Sequence, residues 1–146
     1  MASPLITNPL GAFGTTSVEE KFGGGVLIPF EATAAITAKQ AVTITTAGKI
    51  TKATTGGAAA GTTIGICMDT VAAGEIANVC VLGPVSNVPA DGSIAAGSPV
   101  IASTTTAGSV IAKAAPTTGE GLGFAIAAAA NDVVTIWVNR SIGGIT

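Results

Sequence analysis

Few residues in this chain could carry out chemistry, and their spacing limits what that chemistry could be. The thiols are Cys67 and Cys80, in Ile66-Cys67-Met68 and Val79-Cys80-Val81. If these runs are consecutive strands of a hairpin, the thiols are near neighbours. Three readings stand: two reduced core residues, a disulfide, or a redox or metal pair. The last lacks CxxC spacing and further ligands. The carboxylates are Glu19, Glu20, Glu31, Asp69, Glu75, Asp91, Glu120 and Asp132. An acid/base pair needs two of them across a cleft, one with a raised pKa. Asp69, Glu75, Asp91 and Asp132 instead stand beside Gly, Asn or Ala at expected strand ends, the setting of solvated turn residues. No D-x-[DN]-x-[DN]-G loop for calcium occurs. Gly23-Gly24-Gly25 and Gly56-Gly57 lack the Lys-Ser/Thr pair and the helix of a phosphate loop. Lys49, Lys52 and Lys113 lie on hairpins without a carrier-domain triplet, and read as edge lysines that discourage stray pairing.

Composition narrows the field further. The chain has 146 residues, no His, no Tyr, and a net charge of -2. Without His there is no Ser-His-Asp or Cys-His nucleophile and no His-ligated metal. Six Lys and Arg cannot neutralise a nucleic-acid backbone, so no nucleic acid is expected. No run approaches the roughly 20 apolar residues of a spanning helix, so no membrane is expected. No basic segment followed by an apolar stretch opens the sequence, so a secretory signal is not expected. Site and cofactor expectations are therefore blank: no catalytic residue, no cofactor, no metal, and no enzyme. The chain holds 28 Ala, 20 Gly and 21 Thr, yet only 10% charged residues, against roughly 25% in ordinary domains. So uncharged a protein is expected to hide surface against other copies or a partner.

The elements that must position these residues are short and β-rich. Residues 1–25 hold Pro4, Pro9, Gly11 and Gly14 and no regular apolar period, and read as an extended arm, either a frayed tail or a segment that orders on a neighbouring subunit. From 26 onward, runs of Val, Ile and Thr alternate with Gly, Pro, Asn and Asp turns. The expected strands are Val26 to Ile28, ended by Pro29, then 41–45, 49–54, 62–69, 76–82, 99–104, 109–115, 122–127 and 133–138. Thr46-Ala47-Gly48 and Ala107-Gly108 mark hairpins, since Gly accepts the positive φ such turns need. Strands at this spacing predict an all-β fold, a small β-barrel or sandwich. Ala125 to Ala130 has helix propensity but is too short to stand as a helix, and reads as a strand running into a turn.

An internal repeat runs through residues 26–146. Thr46-Ala47-Gly48-Lys49-Ile50 is similar to Thr106-Ala107-Gly108-Ser109-Val110, Ile64-Gly65-Ile66 to Leu122-Gly123-Phe124, and Val79-Cys80-Val81 to Ile136-Trp137-Val138. The offset is roughly 57–60 residues throughout. Two similar units of about 50 residues are expected, at about 34–84 and 92–140, sharing one core because neither alone buries enough. Trp137 reads as core or subunit interface, with no second aromatic near it in sequence.

The order of motifs resembles a known family. An arm precedes A-V-T-I-T-T-A-G-K-I-T-K-A-T, then I-G-I-C-M-D-T-V-A-A-G-E-I-A-N-V-C-V-L-G-P-V. After these come I-A-A-G-S-P-V, a second T-A-G, L-G-F-A-I and D-V-V-T-I-W-V. Over about residues 26 to 139 this is similar to the capsid cement, or head decoration, proteins of tailed bacteriophages. The resemblance implies a non-enzymatic protein made in the bacterial cytoplasm and carried on the capsid exterior of the virion. It implies the major capsid protein and copies of itself as partners, as a homotrimer at local three-fold positions that clamps neighbouring capsid subunits. From apolarity and position, Leu5, Ile6, Leu10, Phe13 and Phe22 are the expected arm anchors. Val26, Leu27 and Ile28 are expected to add an edge strand to a neighbour. Two other classes remain: a tail-tube or fibre component, and a small β-barrel ligand-binding module. The last would need a concave aromatic or polar cluster that the sequence barely offers.

Overall fold

The computed structural model describes residues 25–54, 63–116 and 120–139. The expected arm, with Leu5, Ile6, Leu10, Phe13 and Phe22, lies outside the described residues. The fold is all-β, with no helix among the described residues. Nine strands follow one another among these residues: β1 (Val26–Glu31), β2 (Ala41–Ile44), β3 (Ile50–Lys52), β4 (Thr63–Cys67), β5 (Ile76–Pro89), β6 (Pro99–Ala102), β7 (Val110–Ala112), β8 (Gly123–Ala125) and β9 (Val133–Asn139). They form one antiparallel sheet, curled as a half-barrel, in the order β3-β2-β4-β5-β9-β8-β6-β7, with β1 also on β5.

Two strands run past their expected ends, for one reason. β1 continues through Pro29 to Glu31, and β5 continues through Gly83 and Pro84 to Pro89. Proline lacks an N–H, so it stops a strand only where a neighbour needs that donor. Cys80 pairs with both Leu27 and Ile66, and Leu82 with both Val26 and Asn139. A strand residue has one neighbour on each edge, so β1 lies on one edge of β5, and β4 and β9 on the other. Beyond Leu82, the β1-side edge of β5 has no strand among the described residues, and Pro84 and Pro89 fall there at no cost. Asn87 takes a positive φ of 58° inside the register shift between Val85 and Val88, a conformation Asn tolerates better than most residues.

The strand order reads alike from both outer ends, β3-β2-β4-β5 against β7-β6-β8-β9. Turn hydrogen bonds recur at the same displacement. Lys39 N donates to the Cys67 carbonyl as Gly97 N does to that of Ala125. Val71 N donates to Ile36 O as Ala129 N does to Ile94 O. Ala32 bridges Ile50 in parallel as Ala90 bridges Val110. The first part of β5, to Leu82, corresponds to β9, and its second part corresponds to β1.

The buried apolar residues among those described form two clusters. The smaller is drawn from the first half: Ala32, Ile36, Val42, Ile50, Cys67, Val71, Ala77 and Val79. The larger combines the inward residues of the second half, among them Val85, Val100, Leu122 and Ile136, with Ala41, Ala53, Ile66 and Cys80 of the first. Each full burial of Val, Leu or Ile stabilises by roughly 1.5–3 kcal/mol. The small residues Ala41, Ala53 and Cys80 let the second half approach the back of the first closely.

Candidate interaction surface

Among the described residues, most of the groups that could have done chemistry help to hold the fold. Direct pairing puts Ile66 with Cys80 on one face of the sheet and Cys67 with Val79 on the other. The thiols are buried, not joined by a disulfide, and in different clusters, so the disulfide reading falls. Burial pushes the Cys67 thiol up, and it donates to the Asp69 carbonyl at 3.1 Å. Among the described residues no three His, Cys, Asp or Glu come together to hold a metal. No helix among them is long and apolar enough to cross a membrane.

Asp91 is more than a solvated turn residue. Ser103 Oγ and Thr105 Oγ1 both donate to its carboxylate. The Ser103 hydroxyl first, and then that of Thr105, hold its pKa below the usual carboxylate range. Ser103 Oγ in turn accepts from the backbone N–H of Thr105 and Thr106, at 3.0 and 2.9 Å. One carboxylate thus ties the β5–β6 connection to the β6–β7 turn. Asp69 accepts from Asn78 N at 2.8 Å, and Glu75 from Ala72 N at 2.7 Å. Lys49 pairs with Glu31 at 2.7 Å and Lys113 with Glu120 at 2.5 Å. These two lysines tie segments together in addition to lining an edge.

What the surface offers is apolar. Val26, Leu27 and Ile28 are exposed. β1 gives one edge to β5, and its other edge has no ladder partner among the described residues. Sequence reasoning missed a second patch. Trp137 pairs directly with Phe124 of β8, and this row continues to Pro99 of β6 and Pro84 of β5. Directly paired residues share a face, so four apolar side chains line up across four strands. Phe124 is 44% and Trp137 37% exposed. The aromatic neighbour not visible beside Trp137 in sequence comes from another strand. The similarity of Ile64-Gly65-Ile66 to Leu122-Gly123-Phe124 held the signal, because it sets Phe124 where Ile66 stands, opposite the position of Cys80.

No family model matches the chain, and no curated protein matches it. Among solved structures, its fold is similar to that of the head fiber gp8.5 N base in bacteriophage phi29. The TM-score is 0.57 at 16% identity, over 83% of this chain and 98% of that chain. The likeness is one of fold.

Proposed function

We propose that this protein is a structural, non-enzymatic component of a phage virion, carried on the outside of the head. The fold likeness to a head-fiber base is the observation that carries this reading. The low charge, the uncovered aromatic row and the open apolar edge of β1 agree with it, since each suits a subunit that works by contact. Within this reading the chain binds the major capsid protein and other copies of itself. The clamping of neighbouring capsid subunits by a homotrimer at local three-fold positions is its finer form. A second reading, the base of a projecting fibre, is favoured by the same fold likeness.

Quantitative mass spectrometry of purified virions, scored against the major capsid protein, tests the proposal. Near-equimolar amounts support lattice-wide decoration. A lower count with gold label on the head surface supports a fibre base. Label on the tail, or absence from virions, overturns the head assignment.

A further inference from the structure

The two halves of the fold bury corresponding faces differently. In the first half, Ala41, Ile66 and Cys80 form one row across β2, β4 and β5. All three are fully buried, because the second half packs over them. Pro99, Phe124 and Trp137 form the corresponding row of the second half, across β6, β8 and β9. This row is not buried: Pro99 is half-buried, and Phe124 and Trp137 are exposed.

The covering element shows the complementary asymmetry. Gly108, at the β6–β7 turn, is buried against the first half. Ala41 N donates to its carbonyl at 2.8 Å, and its own N–H donates to Ala53 O at 2.9 Å. The corresponding glycine of the first half, Gly48, is exposed, and a β-carbon there would meet nothing within 4 Å. Likewise Val85 and Val88 of β5 are fully buried in the larger cluster, whereas their counterparts Ile28 and Phe30 of β1 are not. Each chain therefore carries one junction inside it, a corresponding covering side on its first half where Phe30 is only partly buried against the smaller cluster and Ile28 is exposed, and an exposed receiving row on its second.

We propose that a second copy of this chain docks on the Phe124–Trp137 row through the Ile28, Phe30 and Gly48 side of its first half, repeating between chains the junction that joins the two halves within one. The proposal rests on the self-association part of the functional reading and not on head binding. The contact is heterologous, one surface against a different one, so successive copies close a ring or run on as a filament. The substitutions along the row fit an interface between separate chains. Pro99 has no N–H to repeat the Ala41 bond. Phe124 and Trp137 replace Ile66 and Cys80 with larger apolar area, and Trp is the residue type most enriched among the few that dominate interface energetics.

Sedimentation of the purified full chain across a concentration series tests this without any phage head. Wild type is expected to assemble, while Phe124→Asp and Ile28→Asp each remain monomeric with an unchanged far-UV spectrum and melting curve. Each variant keeps one intact surface, so mixing the two is expected to give a one-to-one heterodimer. Should Phe124→Asp fail to fold, Phe124→Ala serves in its place. It is expected to weaken assembly about tenfold or more and to open Trp137 emission to iodide quenching. A monomeric wild type overturns the proposal, including the case in which deleting residues 1–22 exposes Trp137 and so shows the chain's own arm on the row. A mixture that stays monomeric also overturns it. Failure here leaves the virion experiment unaffected.

Discussion

Gly65 of β4 lies against the carbonyl of Cys80 on β5, with no room for a β-carbon between them. Gly123 of β8 stands in the same relation to the Trp137 carbonyl on β9. Both obstacles are backbone in a ladder, which cannot swing aside as a side-chain end can. Gly65→Ala and Gly123→Ala are therefore each expected to destabilise by about 1–3 kcal/mol, the usual cost of overpacking. Denaturant titration reads this as a lower midpoint at constant slope. An unchanged midpoint in either variant would show that the two strands can separate locally at little cost.

Asp91 gives the fold an acid-sensitive tie. Its folded pKa is depressed by the hydroxyls of Ser103 and Thr105. A depressed carboxylate contributes stability above its unfolded pKa, and loses it as pH falls through the folded value. Asp91→Asn is expected to lower the melting temperature at neutral pH, with the gap to wild type closing below about pH 4. Melting curves from pH 7 to pH 2 check this; a gap independent of pH would mean that the charge is not what matters.

The thiols make a separate prediction. Cys67 and Cys80 point to opposite faces, so oxidant should not join them within the folded chain. Iodoacetamide at pH 8 should label neither thiol in the native protein and both in denaturant, with mass spectrometry counting the adducts. Rapid native labelling of Cys67 would contradict its burial and its raised pKa.

Removal of residues 1–22, with Leu5, Ile6, Leu10, Phe13 and Phe22, is expected to abolish head binding while leaving the melting transition of the β domain in place. Binding to purified heads by cosedimentation, unchanged after the deletion, would move the contact to the β domain itself.

Much of this architecture could be read from residue order. Thr-Ala-Gly marked both hairpins. Because a sheet with a buried face imposes period two, alternation of Val, Ile and Thr places the described strands within a few residues, except that β5 runs on from Leu82 to Pro89. What escaped reading depended on partners rather than on local pattern. Pro84 looks like a terminator until the edge it occupies is known to lack a strand. Asp91 looks like a turn residue until Ser103 and Thr105 arrive from another loop. Trp137 looks solitary until β8 sets Phe124 opposite it. Ladders join residues distant in sequence, and a single sequence carries those pairings only through the likeness of its two halves.

The pairing of Leu82 with both Val26 and Asn139 has a mechanical consequence. The described chain enters and leaves the sheet at the same rung, from opposite sides of one strand. A pull on both ends is therefore transmitted through the backbone at Leu82 and bypasses the hairpins. The first bonds to part are those flanking that rung, and the Phe124–Trp137 row lies outside the path of the load.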